Sequence, residues 1–208
     1  MFYKAYKFRM YPNKEQEILI NKSIGSVRFL YNYFLNKKQE LYKNFKINYN
    51  LREMKKDLKP LCSEYIWLKE IDSITLRATL ENLDKAYTNY FELRGELPKN
   101  KKKSINGSFT TKCIRSSYKE TNYANIKVDL ERKIIKLPKL KEVKISGYRR
   151  LKNFPYKIIN ATISKEAGKY YVSVLVEELM KSLPITNSIV GIDLGVKDLC
   201  ITSDNIKC

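Results

Sequence analysis

The spacing of the apolar residues changes once along this chain, and that change limits the folds open to it. Between residues 13 and 93, apolar side chains recur every three or four positions, which indicates amphipathic helices. From residue 123 onward they alternate with polar ones, which indicates short antiparallel strands. We expect these strands around residues 124–128, 133–137, 140–146, 158–164 and 170–177. The pattern predicts an α+β fold whose strands form a small barrel or meander.

One alternating segment, residues 2–11, stands apart from the others because it precedes the helices. One face is apolar and the other is largely basic: Tyr6, Phe8 and Met10 against Lys7, Arg9 and Tyr11. We expect this half-buried strand to pair into the later sheet. The helical block would then be an insertion into a β-barrel.

The helical block begins with a recognisable cap. Asn13 precedes Gln16 by three residues, which is the spacing of a capping box. Gly25 permits a break, and a second helical run extends from Val27 to Tyr42. Helix, glycine turn and helix resemble a DNA-binding helix-turn-helix, but any αα-hairpin gives the same pattern, so both interpretations stay open.

Two further helices are predicted in this block. Asn50 caps a short helix that we expect to end at Pro60, and the pair Trp67-Leu68 is predicted to anchor the core. Ser73 opens a long helix to about residue 93. Its apolar stripe is formed by Leu76, Leu80, Leu83, Tyr87 and Tyr90.

The charge of the chain points to a polyanionic partner. Lysine and arginine number 41 against 22 acidic residues, so the formal net charge is +19. This exceeds the roughly 2–8 units that keep a small domain soluble, and it favours nucleic acid over an anionic membrane surface. Many of the 16 tyrosines lie beside cations, as in Tyr3-Lys4 and Tyr6-Lys7. Such pairs can stack on bases and hold phosphates, although any single tyrosine is more often a packing residue.

Residues 94–119 form a basic segment with eight lysines and arginines and one glutamate. The cluster Lys101, Lys102 and Lys103 lies among Gly, Ser, Thr and Asn. The segment is either a plain linker or an arm that binds phosphates, and the charge context favours the arm.

Several classes of site are excluded by what the chain lacks. There is no histidine, and the four cysteines Cys62, Cys113, Cys200 and Cys208 are far apart. A closed zinc site and histidine-based acid–base catalysis are therefore not expected. With no signal peptide and no apolar run near 18 residues, we expect a cytoplasmic protein with free thiols.

One motif carries catalytic chemistry. Residues 189–195 read Ile-Val-Gly-Ile-Asp-Leu-Gly, an apolar strand with a single carboxylate, Asp193, next to Gly195. An RNase H-like nuclease starts in this way, and its chemistry needs two or three carboxylates around paired metal ions. Asp198 and Asp204 fit hairpin positions better than ligand positions. The same pattern can open an actin-like ATPase, which would need a second phosphate loop, and Asp193 could also be an ordinary strand-end residue.

An ordered set of segments along the whole chain resembles the TnpB family, also called OrfB, which is similar to the type V CRISPR effectors. The segments are Lys4–Glu17, Arg28–Phe34, Trp67-Leu68, Asp72-Ser73, Leu83–Tyr87, Lys136–Lys139, Ala161–Ser164, Lys169–Val172 and Gly191–Asp198. Arg77 departs from the pattern because family members often carry Gln there.

The resemblance implies an RNA-guided DNA endonuclease. Its fold would be a wedge (OB-like) β-barrel interrupted by a helical recognition insertion and followed by the first strands of an RNase H-like (RuvC) domain. On this basis residues 1–11 and 105–182 form the barrel, 12–104 the helical domain and 183–208 the start of RuvC. The partners implied are guide RNA and target DNA, with no membrane. The predicted nucleic-acid-binding residues are Lys7, Arg9, Arg28, Arg77, Lys101, Lys102, Lys103, Lys112 and Arg115.

The resemblance also assigns Asp193 as the first RuvC carboxylate, a catalytic residue and a ligand of Mg²⁺. The later Glu and Asp of the family's triad, and its ribbon cysteines, have no counterpart in these 208 residues. We therefore expect a truncated protein that binds Mg²⁺ only in a complete RuvC site, binds no zinc and does not cleave DNA alone. The alternative is a non-catalytic binder, either a helix-turn-helix regulator that acts without RNA or a nuclease-dead relative.

Overall fold

The computed structural model describes residues 2–114, 124–147, 156–179, 189–195, 200–204 and 206. Over these residues it confirms the α+β class, with three α-helices and a large antiparallel sheet. The helices are α1 (Lys14–Phe45), α2 (Leu51–Glu64), a 3-10 helix (Ile66–Glu70) and α3 (Ser73–Phe91). The strands are β1 (Phe2–Tyr11), β2 (Gly107–Lys112), β3 (Lys127–Asp129), β4 (Ile134–Leu137), β5 (Lys141–Ser146), β6 (Tyr156–Glu166), β7 (Lys169–Glu178), β8 (Ile192–Asp193) and β9 (Ile201–Thr202).

The first strand pairs into the later sheet, as predicted, and lies at its centre. The strand order is β2-β6-β7-β1-β5-β4-β3, and each neighbouring pair is antiparallel. β1 pairs with β7 from Phe2 to Met10 and with β5 from Arg9 to Tyr11. All five strands predicted after residue 123 are present with shifts of a few residues at their ends.

Strand β2 corrects the expectation that residues 94–119 form one unstructured segment. Gly107–Lys112 pairs with β6 along its whole length, and Phe109 and Thr111 point into the core. The sequence signal is weak because only these two side chains are buried and basic residues flank them.

The inner face of the sheet forms one hydrophobic core with the first half of α1. Even-numbered residues of β1 and β7 supply much of it, and Ile20 and Val27 of α1 cover it. The two outermost strands approach each other at one end. There the Asn125 side chain accepts a hydrogen bond from the Ile114 amide (2.6 Å) and donates one to the Lys112 carbonyl (3.1 Å).

The break predicted at Gly25 is wrong, because α1 runs unbroken through 32 residues. Its first half packs on the sheet, while Leu30 and Phe34 of its second half lie in a separate core with α2 and α3. Burial on both sides of Gly25 outweighs the roughly 1 kcal/mol that a helical glycine costs relative to alanine. The predicted capping box of Asn13 and Gln16 is confirmed.

The end predicted for α2 is also wrong. The helix continues past Pro60 to Glu64, because burial of Leu61 in the helical core outweighs the roughly 3 kcal/mol that a proline costs inside a helix. The anchor prediction is half right, because Leu68 is buried whereas Trp67 is 41% exposed and lies edge-on to Phe29. In α3 the predicted stripe is buried except at Tyr90, which is exposed.

Gln16 and Asp72 are two of the side chains that join the helical block to the sheet. The amide nitrogen of Gln16 donates to the carbonyls of Leu140 and Glu142, both at 2.9 Å. Asp72, the N-cap of α3, accepts from the Thr111 hydroxyl at 2.7 Å. The domain boundaries stay predictions, and the boundary predicted between residues 182 and 183 lies outside the described part of the chain. No helix in that described part is long and apolar enough to cross a membrane.

Candidate nucleic-acid interface

The outer face of the sheet carries polar side chains in two straight rows. Strand pairing places five of them opposite one another across five strands, which we call row one: Ser108, Ser164, Tyr171, Arg9 and Ser146. A second row, which we call row two, runs parallel to it and lies two residues away along each strand. It contains Thr110, Thr162, Ser173 and Lys7. Because adjacent strands lie about 4.8 Å apart, row one spans roughly 19 Å. The rows form a face of hydroxyls and cations that is accessible from solvent.

Arg9 is the best-oriented cation on this face. Its guanidinium carbon lies 5.2 Å from the ring centre of Tyr171 and 5.6 Å from that of Tyr11. Tyr11 is held in turn by a hydroxyl contact of 3.2 Å with Ser146. Among the described residues, no carboxylate lies within 4 Å of the guanidinium. The two rings therefore orient a planar fork whose donors suit a phosphate.

Lys7 is positioned differently, because it pairs with a carboxylate. Its ammonium donates to both oxygens of Glu166, at 3.1 and 2.9 Å, and lies 4.6 Å from the Tyr171 ring centre. The Ser164 hydroxyl donates to the same carboxylate at 2.9 Å. These hydrogen bonds, first that of Lys7 and then that of Ser164, hold the pKa of the Glu166 carboxyl below its ordinary value.

A second basic region lies where the segment after α3 crosses α1. The Asn32 amide donates to the Lys101 carbonyl (3.0 Å) and accepts from the Lys101 amide (2.8 Å), so it clamps this backbone. The Lys101 ammonium lies 4.1 Å from the Tyr31 ring centre, and desolvation lowers its pKa although the residue as a whole stays exposed. A cleft of about 350 Å³ beside it is lined by Arg28 and Lys102 among others.

Close packing fixes this segment against the helix. A Cβ at Gly107 would lie 2.4 Å from Cγ2 of Ile24, so only glycine fits there without a shift. The Asn106 side chain accepts from the Ala167 amide at 3.0 Å. This bond ties the segment to the β6–β7 turn, next to Glu166, so the cleft and the outer face of the sheet adjoin.

The other predicted binding residues are spread over the molecule. Lys112 forms an ion pair with Glu81, which also pairs with Lys55 at 2.8 Å, so it joins β2 to the helices. Arg77 is exposed on α3 and Lys103 is exposed in the basic segment, away from the rows, while Arg115 lies outside the described residues. Tyr171, Glu166, Asn32 and the row hydroxyls were not among the residues predicted to bind nucleic acid. Alternation indicates their faces, but only strand register shows which of them meet.

Asp193 lies in β8, which forms a small hairpin with β9. Ile192 pairs with Thr202 and Asp193 with Ile201, and the Asp193 side chain is exposed. Asp204 lies in the turn after β9, and Asp198 is outside the described part of the chain. Within that part, no three acidic, cysteine or histidine side chains come together. One exposed carboxylate does not make a metal site, so the role of Asp193 as a Mg²⁺ ligand stays a prediction.

Comparison with known proteins finds one family model, three relatives and one solved structure that are similar to this chain. The family model HTH_OrfB_IS605, described as a helix-turn-helix domain, matches residues 1–46. These residues contain β1, α1, the N-cap Asn13 and the C-cap Lys46. "Putative RNA-guided DNA endonuclease InsQ" of Escherichia coli K12 is 31% identical over 97% of this chain and 47% of its own length. A "Putative RNA-guided DNA endonuclease" of Streptomyces pristinaespiralis is 26% identical over 98% of this chain and 49% of its own. "Virulence protein VsdF" of Salmonella dublin is 35% identical over 48% of this chain and 93% of its own.

The chain thus spans about half the length of the two endonuclease relatives. A solved structure, that of a Cas12f1–sgRNA–target DNA complex, is similar at a TM-score of 0.46 and 14% identity, over 98% of this chain and 54% of that one. The family model and the relatives agree with the segments found in the sequence, and the chain belongs to the TnpB (OrfB) family.

Proposed function

We propose that this chain binds guide RNA and target DNA as part of an RNA-guided DNA endonuclease. The names of two relatives and the net charge of +19 support this function. The observation that carries it is Arg9, a guanidinium oriented by two tyrosine rings within a row of hydroxyls. A planar cation beside aromatic rings is the combination that holds a phosphate while an adjacent base stacks.

The proposal includes the finer architecture. The sheet is the wedge (OB-like) barrel, which the contact of Asn125 with the other edge strand supports. The three α-helices are its recognition insertion, since they lie between β1 and β2 in sequence. The β8–β9 hairpin is the start of the RuvC domain, with Asp193 as its first carboxylate.

Cleavage needs more than this one carboxylate. Bound Mg²⁺ would polarise the scissile phosphate and activate water, and Asp193 would contribute one ligand. Residues 1–208 alone are therefore expected to bind nucleic acid without cutting it. Plasmid cleavage by the purified chain in Mg²⁺, lost on Asp193→Ala, would contradict this part of the proposal.

The binding test compares variants of Arg9 with a matched arginine. Binding of a fluorescent structured RNA to the full chain is measured by anisotropy between 50 and 200 mM salt, a range in which phosphate-dominated affinity falls about 10³–10⁵-fold for six to ten contacts. Arg9→Ala should weaken binding about tenfold, as expected for one charged hydrogen-bonded contact, and should reduce the salt slope by about one.

Two controls separate charge from geometry. Arg9→Lys keeps the charge but loses the planar stack, so it should keep the salt slope and still bind more weakly. Arg52, exposed in the first turn of α2, provides the control for lost charge, and Arg52→Ala should behave like the unchanged protein. Equal effects of Arg9→Ala and Arg52→Ala would refute a specific role for the face. Preference for a short palindromic DNA without RNA would favour the helix-turn-helix regulator.

A further inference from the structure

The outer face contains a concavity of the size that ligand sites have. It measures about 740 Å³, within the range of roughly 300–1,000 Å³ typical of ligand pockets. Ala5 and Gly147 line it, and the small side chain of Ala5 leaves room on the outer face that a larger one would fill. A Cβ at Gly147 would lie only 2.9 Å from the Phe8 ring, so the backbone must approach that ring without a side chain.

The groups that line this concavity differ in chemistry. Arg9 and the Tyr171 ring offer flat surfaces, Lys7 offers an ammonium, and Glu166 offers a carboxylate. Among the described residues that line it, Glu166 is the one acidic group. A carboxylate opposes phosphate binding, so a surface that only held phosphates would gain from its absence.

The position of Glu166 is well defined. Lys7 and Ser164 donate to it, and the β6–β7 turn that carries it is tied to Asn106 through the Ala167 amide. Gly168 completes the turn at a φ of 74°. A carboxylate has about four acceptor positions, and the side chain of Glu166 is 48% exposed. Glu166 can therefore accept hydrogen bonds from a ligand in the concavity.

We propose that this concavity binds a single guanine base of a nucleic-acid strand, with Glu166 accepting from its Watson–Crick edge. This inference rests on the proposed function and names a base preference within it. Guanine presents two adjacent N–H donors on that edge, at N1 and at the 2-amino group, which match the two oxygens of a carboxylate. Adenine and cytosine present an acceptor beside their amino group, and uracil presents one N–H between two carbonyls. The base lies against Tyr171 and Arg9, where unstacked bases find aromatic and guanidinium planes.

Lys7 takes a second role in this arrangement. An exposed ion pair is weak, so the Lys7 ammonium can turn from Glu166 to the phosphate of the bound nucleotide while guanine replaces it at the carboxylate. Arg9 contacts the neighbouring phosphate. The pocket thus exchanges one internal ion pair for a base contact and a phosphate contact.

The test uses oligouridine RNAs of one length that carry a single central guanosine, inosine, adenosine, cytidine or uridine. Anisotropy at constant salt gives the dissociation constants for the full chain. The guanosine oligomer should bind about 5–100-fold more tightly than oligouridine, the range for a bidentate base contact. Inosine, which lacks the 2-amino group, should fall between them.

Glu166→Gln should bring the dissociation constants of the guanosine and uridine oligomers to the same value, because the amide offers one acceptor and places a donor beside it. Glu131→Gln, an exposed glutamate in the β3–β4 turn, removes the same charge and should leave the ratio of the two constants unchanged. Equal affinity for all five oligomers, with the dependence on Arg9 retained, would overturn the guanine pocket and leave the proposed function standing.

Three other outcomes would also overturn it. A guanosine preference that survives Glu166→Gln would show that another group reads the base. Free guanosine monophosphate that binds as tightly as the guanosine oligomer would identify a free nucleotide, rather than a strand, as the ligand. Failure of every oligomer to bind would overturn the proposed function together with the pocket.

Discussion

Gln16 performs two tasks at the point where the helical block meets the sheet, and substitutions can separate them. Its side-chain oxygen accepts from the Asn13 amide at 3.0 Å and completes the cap of α1. Its side-chain nitrogen donates to the carbonyls of Leu140 and Glu142. Glutamate keeps the acceptor for the cap, but it has no proton for the two carbonyls. Gln16→Glu therefore removes the joint and keeps the cap, while Asn13→Ala removes the cap and keeps the joint.

The magnitudes follow from the number and exposure of these bonds. A hydrogen bond contributes about 0.5–1.5 kcal/mol to the free energy of unfolding. Two lost bonds, one of them exposed, therefore predict that Gln16→Glu destabilises by about 1–2.5 kcal/mol. Asn13→Ala should cost about 0.5–2 kcal/mol, as for other N-caps, and Gln16→Ala should cost about as much as Gln16→Glu plus the lost reciprocal cap bond.

Urea unfolding of the full chain, followed by circular dichroism, measures these differences. For a chain of this size each 1 kcal/mol should also lower the Tm by about 2–4 °C. Glutamate also suits a helix N-terminus electrostatically, which can offset part of the loss in Gln16→Glu. The reasoning that the bonds to Leu140 and Glu142 join helix to sheet would therefore be refuted if Gln16→Glu were as stable as the unchanged protein and Gln16→Ala lost no more than the reciprocal cap bond.

Two further substitutions test contacts elsewhere in the structure. Gly107→Ala should destabilise the protein by about 1–3 kcal/mol, because its Cβ would overlap Ile24, an isoleucine held in one rotamer by the helix. In urea unfolding, adding Ile24→Ala to the same chain should restore much of the lost stability. Asp57 accepts from Lys37 (2.8 Å) and Tyr49 (2.6 Å), and these bonds, that of Lys37 first, lower its pKa. The stabilisation from these bonds is complete above the ordinary Asp pKa near 4 and is lost as pH falls below it. In Asp57→Asn the free energy of unfolding should therefore depend less steeply on pH in this acid range. An unchanged dependence on pH would contradict the assignment.

Local patterns in the sequence predicted most helices and strands. The features that they did not predict depend on tertiary packing and on strand register. Alternation in residues 2–11 and the box of Asn13 and Gln16 are short-range signals, and both are confirmed. Gly25 was misjudged because a glycine indicates only local freedom, whereas burial of Ile20 and Phe34 on its two sides is decided by tertiary packing. The interface was predicted at Arg9 and Lys7, but not at Tyr171 or Glu166. Their proximity depends on register between strands that are far apart in sequence, and no local pattern encodes that register.

The central place of β1 has a consequence for how the protein is made. This strand leaves the ribosome before the other described elements, yet the hydroxyl of its Tyr6 bonds to Glu178, 172 residues later. At about 5–20 residues per second the strand waits roughly 9–34 s for that partner. During this time α1–α3 can form their own core, since its members lie between residues 30 and 87. Tyr6, Phe8 and Met10 meanwhile remain uncovered, so β1 is the segment of the nascent chain most in need of a chaperone.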